Sequence, residues 1–123
     1  MAMTMYAEQR ACERVSLMFH TQVIDCATEH VIGMLSDISL RGLRVVGETG
    51  VNPGQELEVR LPLPVETSGE SEIRVSCESR WSRRDVSTDS IHTGLRMTSL
   101  DARQSSLLES VIQEFGIGPM LAS

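Results

Sequence analysis

The chain of 123 residues contains no lysine, so all 11 of its Lys/Arg positions are arginine. This absence excludes a Walker-type phosphate-binding lysine, a Schiff-base lysine and a lysine general base. The basic side chains that remain are planar, permanently charged guanidinium groups, each of which can hold a phosphate or a base edge through two hydrogen bonds. The composition thus argues against lysine-dependent catalysis, while genomic base composition is the simplest explanation for the missing lysine.

Aromatic residues are also scarce, at 3% of the chain, and the formal net charge is −6. Few aromatic rings leave little surface on which successive nucleobases could stack, and an acidic chain is not attracted to a polyanion. Both features argue against DNA or RNA as a partner, although oligonucleotide binding by a small barrel is a disfavoured alternative. A small anion can still bind where arginines cluster.

Long apolar runs are missing, and the first residues lack a basic segment followed by an apolar one. We therefore expect neither membrane insertion nor a secretory leader. The three cysteines, Cys12, Cys26 and Cys77, suit a reducing compartment better than a disulfide framework. Together with His20 and His30 they show no common zinc spacing, so no metal is expected. We predict a cytoplasmic protein.

Residue periodicity predicts one mainly β domain. Apolar and polar side chains alternate over six segments, at 14–23, 31–36, 42–46, 56–63, 72–81 and 91–97. Pro62 and Pro64 are expected to end the fourth strand, residues 65–70 to form a loop, and residues 83–90 to form the next connection. Six strands with short links predict a closed six-stranded antiparallel β-barrel.

The last part of the chain changes to a helical period. Ser99 and Asp101 are both candidate N-caps. The apolar residues that recur behind them are Leu107, Leu108, Val111, Ile112 and Phe115. They predict a C-terminal helix over about 100–115 that covers one end of the barrel, or else serves as an intermolecular interface. We expect a flexible tail at 1–9, the domain at 10–118 and a second tail at 119–123.

Two short motifs carry the candidate binding site. Arg10 and Arg14 form R-x-x-x-R before the first strand, and Asp37, Ser39 and Gly42 form D-x-S-x-x-G at a later strand junction. Asp37 can accept from guanine N–H groups, the Ser39 hydroxyl can donate or accept, and Gly42 permits a close backbone approach or a positive φ. In this order the two motifs predict a guanine-nucleotide pocket.

Other residues near these motifs have two interpretations. Arg41 and Arg44 are additional candidates for ligand binding, and an exposed strand face explains them equally well. The basic patch at 80–84, formed by Arg80, Arg83 and Arg84, is interpreted as a solvated loop in preference to a further ligand contact. Trp81 is interpreted as core or barrel-end packing in preference to a stacking platform. Cys12, between the two motif arginines, is either a spacer or a thiol whose oxidation would modulate binding.

From Arg10 to Phe115 the chain resembles the PilZ domain family. The resemblance rests on both motifs, a valine-rich third strand, a tryptophan in the fifth strand, the run 94–97 and the final helix. It implies a six-stranded barrel that binds the bacterial second messenger cyclic di-GMP without catalysis or a cofactor. The ligand-binding residues that it implies are Arg10, Arg14, Asp37, Ser39 and Gly42.

The leading functional hypothesis is a cyclic di-GMP receptor that signals to an unidentified downstream protein in motility, biofilm, pilus or exopolysaccharide control. We expect a monomer or weak homodimer in which the ligand orders the segment beside the motif arginines. The alternative is a PilZ-like adaptor that binds proteins and in which nucleotide binding is absent or incidental.

Overall fold

The computed structural model describes residues 14–117. In chain order its elements are β1 (Ser16–Leu17), β2 (Gln22–Asp25), β3 (Val31–Ile38), β4 (Gly42–Gly47), β5 (Glu56–Thr67), β6 (Glu70–Asp85), β7 (Ser90–Ser99), α1 (Ala102–Phe115) and β8 (Gly116–Ile117).

Six of the strands form a closed antiparallel barrel in the order β2-β3-β4-β7-β6-β5, which confirms the predicted fold class. The barrel closes between β2 and β5, where Ile24 pairs with Arg60 and Asp25 pairs with Val59. The short strands β1 and β8 pair with each other outside this sheet. Closure gives each barrel strand a hydrogen-bonded neighbour on both sides, so the sheet has no free edge strand.

The first predicted strand, 14–23, is divided in the structure. Its side chains alternate as expected, with Val15, Thr21 and Val23 buried. Its backbone, however, changes partners: Met18 N donates to Phe115 O, whereas Gln22 belongs to the pairing of β2 with β3. Burial alternation therefore predicted the faces correctly but missed the break, because it carries no information about the hydrogen-bonding partner.

The prediction that Pro62 and Pro64 end the fourth strand is wrong. Strand β5 continues to Thr67, and its register with β6 jumps from the Pro62–Glu72 pair to the Thr67–Glu70 pair. Residues 63–66 thus bulge out of the ladder, and proline is tolerated at such a bulge because it has no N–H to donate. The predicted loop at 65–70 shrinks to the turn between Thr67 and Glu70.

The predicted connection at 83–90 is also shorter than expected. Strand β6 reaches Asp85 and β7 begins at Ser90, so residues 86–89 alone make the turn. The Asp85 carboxylate accepts from both the N–H and the hydroxyl of Ser87, which stabilises this tight hairpin. Residues 83–85 therefore lie on a strand. They are polar because both faces of this hairpin arm are exposed to solvent.

The interior of the barrel is filled by aliphatic side chains. Those that are almost fully buried on the strands include Val23, Ile38, Leu43, Val45, Val59, Leu61, Ile73, Val75 and Leu95. The same cluster includes Val15 before β1 and the apolar stripe of α1. Barrel and helix therefore share one hydrophobic core.

Helix α1 begins where the sequence predicted. Asp101 is its N-cap: the Asp101 carboxylate accepts from Gln104 N at 2.7 Å, and the Gln104 side chain accepts from Asp101 N at 2.9 Å. The Gln104 amide also donates to Arg74 O at 2.6 Å, so the first turn of the helix is attached to β6. The helix packs against β5 and β6, and its Arg103 forms an ion pair with Glu70 at the start of β6. Within residues 14–117, no helix has the length and apolar character that crossing a bilayer would require.

Candidate functional site

The candidate site is built around Asp37, near the end of β3. The pairing of β3 with β4 shifts register between Leu35 and Asp37, and beyond this bulge Asp37 lies directly opposite Arg44. A bulge changes the direction of the side chains that follow it. The sheet register itself therefore places a carboxylate beside a guanidinium.

Two arginines converge on this carboxylate. Arg14 Nη1 lies 2.8 Å from Asp37 Oδ1, and Arg44 Nη2 lies 2.7 Å from Asp37 Oδ2. The Asp37 side chain is only 10% exposed, whereas those of Arg14 and Arg44 are 51% and 40% exposed. A nearly buried carboxylate requires such partners, because burying its charge alone would be costly. The cluster carries an excess positive charge that faces solvent and can attract an anion.

Ser39 and Arg41 form the turn that joins β3 to β4. Ser39 N donates to Gly42 O at 2.9 Å, and the Ser39 hydroxyl accepts from Arg41 N at 3.0 Å. The Ser39 residue is 2% exposed. Its hydroxyl oxygen thus stabilises the turn, while the hydroxyl proton can still be donated to a further acceptor.

Gly42 has a structural reason to be glycine. It lies in β4 opposite Arg96, and a Cβ added to it would come within 2.3 Å of Leu95 O in β7. Its φ is not positive, so of the two reasons for a glycine here, a close backbone approach and a positive φ, the second does not apply. The close approach that requires glycine at this position is between two strands of the barrel.

The remaining predicted residues fall at the rim of the site or outside the described residues. Arg41 is exposed, and its carbonyl accepts from Met97 N, which ties the turn to β7. Among residues 14–117 its guanidinium forms no ion pair. Arg10 and Cys12 lie outside the described residues, as do the predicted tails at 1–9 and 119–123.

The sheet also brings Trp81 to the outer wall beside Arg44. Gly94 of β7 pairs with Arg44 on one side and with Trp81 on the other. A Cβ on Gly94 would lie 2.3 Å from Trp81 Nε1, so the indole covers this glycine. Trp81 therefore packs over a glycine of β7, outside the buried core cluster and beyond the last residue pair of β5 with β6. An isolated glycine within a strand is the sequence signal that indicates such a close approach.

Sequence reasoning missed a basic cleft next to the site. The cleft has a volume of about 340 Å³ and is lined by Arg44, Arg83, Arg84, Asp85, Val86 and His92. The Arg83 guanidinium lies 5.4 Å from the centroid of the Trp81 ring. The patch at 80–84, interpreted as a solvated loop, thus borders the candidate site, because β7 pairs with β4 on one side and with β6 on the other.

The cysteines and histidines of the described residues do not assemble a metal site. No three His, Cys, Asp or Glu side chains within residues 14–117 lie close enough together to hold a metal ion. Burial raises the pKa of the Cys77 thiol to about 12, and burial followed by the nearby Glu58 carboxylate raises that of Cys26. Both shifts favour the protonated thiol over the reactive thiolate.

Residues 14–117 thus combine a closed antiparallel barrel with two arginines gathered around one carboxylate. The PilZ domain model matches residues 8–114, and the chain belongs to the PilZ domain family. PilZ domains are generally effectors of cyclic di-GMP that act by binding. No protein of curated function matches this chain by sequence.

Solved structures of other PilZ proteins share the fold. The inhibitor of motility MotI/DgrA of Bacillus subtilis is similar with a TM-score of 0.64 and 20% identity, over 82% of this chain and 49% of that one. The PilZ domain of Escherichia coli YcgR with cyclic di-GMP has a TM-score of 0.58 and 13% identity, over 83% and 87% of the two chains. The PilZ domain of CeSA from a cellulose-synthesizing bacterium has a TM-score of 0.53 and 14% identity, over 78% and 90%. The present chain spans about half the length of MotI/DgrA.

Proposed function

We propose that the protein is a cytoplasmic cyclic di-GMP receptor that passes its signal to a protein partner by non-covalent contact. The observation that carries the proposal is the convergence of Arg14 and Arg44 on Asp37, beside the Ser39 turn. The family contributes the class of ligand, and the geometry contributes the arrangement of groups that suits it.

The chemistry of the site matches the ligand group by group. The two oxygens of Asp37 can accept from guanine N1–H and the exocyclic amino group. The half-exposed guanidinium of Arg14, together with Arg10, can hold phosphates through paired hydrogen bonds. The excess positive charge around Asp37 attracts the two ligand phosphates although the whole chain is acidic.

The outer wall extends this site beyond the two motifs. The half-buried Trp81 is separated from Arg44 by one strand, β7, because both residues pair with Gly94. Arg83 and His92 line the adjoining cleft. This surface provides an aromatic ring and cationic groups for the second guanine and the sugar-phosphate ring of the ligand.

A second candidate function is that of a protein adaptor. It is favoured by the similarity to MotI/DgrA, which is described as an inhibitor of motility. In this interpretation Arg14 and Arg44 serve to neutralise Asp37, and the barrel surface binds a protein of the motility, pilus or polysaccharide machinery without nucleotide.

The test is calorimetric titration of cyclic di-GMP into the wild-type protein and an Arg10→Ala/Arg14→Ala variant, with GTP as competitor. Hydrogen bonds to charged groups contribute roughly 1.5–3 kcal/mol, so each lost arginine should weaken binding by at least about tenfold. An Arg74→Ala/Arg103→Ala variant is the matched control, because it removes two exposed arginines that pair with Glu72 and Glu70 near the helix.

Micromolar or tighter binding that is lost in the motif variant and kept in the control supports the receptor. A folded wild-type protein that gives neither heat nor a thermal shift with cyclic di-GMP contradicts it and favours the adaptor.

A further inference from the structure

Arg44 belongs to neither motif, yet its position is the most closely defined of the arginines around Asp37. It lies on β4 directly opposite Asp37 of β3, and its Nη2 is 2.7 Å from Asp37 Oδ2. Its Nε is buried and has no hydrogen-bond partner among residues 14–117. Leaving such a group unpaired costs free energy, and the ion pair with Asp37 is the polar contact that residues 14–117 give this side chain.

Arg14 approaches the same carboxylate from a different kind of element. It precedes β1, outside the barrel sheet, and its side chain is half exposed. The backbone next to Arg14 is held to β3 by the two hydrogen bonds between Val15 and Ile38. Arg14 can therefore leave Asp37 Oδ1 by turning its half-exposed side chain, whereas Arg44 projects from a strand that pairs directly with β3. The two arginines are thus suited to different tasks.

We propose that Arg44 is a positioning residue: it fixes the Asp37 carboxylate so that Asp37 can distinguish guanine from other purines, while Arg14 exchanges Asp37 for ligand. This inference rests on the proposed function. A carboxylate oxygen has two lone pairs, so Oδ2 can keep its ion pair with Arg44 while it accepts from a guanine N–H. Oδ1, once released by Arg14, accepts the second guanine N–H.

The competing explanation is that Arg44 contacts a ligand phosphate directly, since it also lines the basic cleft. The two roles differ in one measurable property. A phosphate contact stabilises any cyclic dinucleotide equally, whereas a role through Asp37 affects the recognition of the base. Cyclic di-IMP, which lacks the exocyclic amino group of guanine, separates them.

The experiment measures the affinities of cyclic di-GMP and cyclic di-IMP for the wild-type protein, Arg44→Gln, Asp37→Asn and the double variant. We expect Arg44→Gln to weaken cyclic di-GMP binding by at least about tenfold and to bring the ratio of the two affinities close to that of Asp37→Asn. The double variant should have the same ratio of cyclic di-GMP to cyclic di-IMP affinity as Asp37→Asn alone. Arg74→Gln, which removes one exposed arginine paired with Glu72 on the far side of the domain, should leave the ratio at the wild-type value.

Circular dichroism and thermal unfolding establish that each variant is folded, and Arg44→Lys, which keeps the charge, should recover part of the ratio. An unchanged ratio in Arg44→Gln, or an equal loss of both ligands, overturns the positioning role. A wild-type protein that binds both ligands equally also overturns it, because Asp37 would then not recognise the amino group. Failure of the wild-type protein to bind either ligand would instead reject the receptor function itself.

Discussion

At the scale of single residues, burial changes the chemistry of Cys77 more than that of any other thiol in residues 14–117. The side chain faces the barrel interior, the residue is 1% exposed, and burial raises the pKa of the thiol to about 12 from an ordinary value of 9.0. The folded state therefore holds the thiol proton over a pH range in which the unfolded chain releases it. Stability from this group is complete below pH 9 and is lost as the pH rises toward 12.

We predict that the free energy of unfolding falls by about 2 kcal/mol more in the wild-type protein than in Cys77→Val between about pH 8 and about pH 10.5. The difference arises because valine has no proton to lose in the unfolded state. Urea unfolding at both pH values measures it, and each protein is compared with itself so that the packing change cancels. An equal decline in the two proteins would show that Cys77 does not titrate on unfolding.

Gly42 shows at the same scale that a motif residue can have a structural role. Because a Cβ there would meet Leu95 O, substitution strains the contact between β4 and β7 whether or not a ligand is present. Loss of ligand binding in a Gly42 variant would therefore be no evidence of direct contact.

At the scale of elements, the start of α1 depends on one side chain. The Asp101 carboxylate accepts a hydrogen bond from Gln104 N in the first turn, and the Gln104 side-chain oxygen accepts one from Asp101 N. Ser99, the other cap that the sequence allowed, is an exposed residue at the end of β7.

We predict that Asp101→Ala lowers the free energy of unfolding by about 1 kcal/mol, since a first-turn N–H loses its acceptor. Ser99→Ala is the control and should have an effect below about 0.5 kcal/mol. Chemical denaturation of the two variants provides the comparison. If Ser99→Ala destabilises the protein as much as Asp101→Ala, the cap assignment is incorrect.

At the scale of the whole molecule, helix and barrel form one cooperative unit because they share a core. Leu108 of α1 is completely buried and belongs to the same cluster as Leu43, Leu61 and Leu95 of the barrel. The edge-to-face contact between Phe19 and Phe115, with ring centroids 5.2 Å apart, adds a link between the end of α1 and the segment before β2.

We predict that Leu108→Ala destabilises the whole domain by about 2–5 kcal/mol, through lost burial and the cavity that remains. Helix content from far-UV circular dichroism and Trp81 fluorescence from the barrel wall should report the same unfolding transition. Gln113→Ala, an exposed position on the same helix, should change stability little. Two separate transitions would mean that helix and barrel fold independently.

Much of the fold could be predicted from the sequence, because alternation and helical periodicity directly report which side chains are buried. The barrel and the helix were predicted in this way. The end of β5 was not, since Pro62 is tolerated where the ladder with β6 is interrupted, and that interruption depends on β6. The break after β1 was missed because it also depends on a distant element: β1 pairs with β8, which follows the helix in the chain.

The candidate site, like the fold, was only partly predictable from the sequence. Sequence alone determined that this chain carries R-x-x-x-R and D-x-S-x-x-G in a small β domain without lysine, since those facts depend on residue type and local spacing. Only the tertiary structure decided that Arg44 and Arg14 share the carboxylate of Asp37 and that Arg44 lies near Trp81 and the basic cleft. The physical reason is that strand register places residues side by side that are far apart in the chain, and register is set by pairing across the whole barrel.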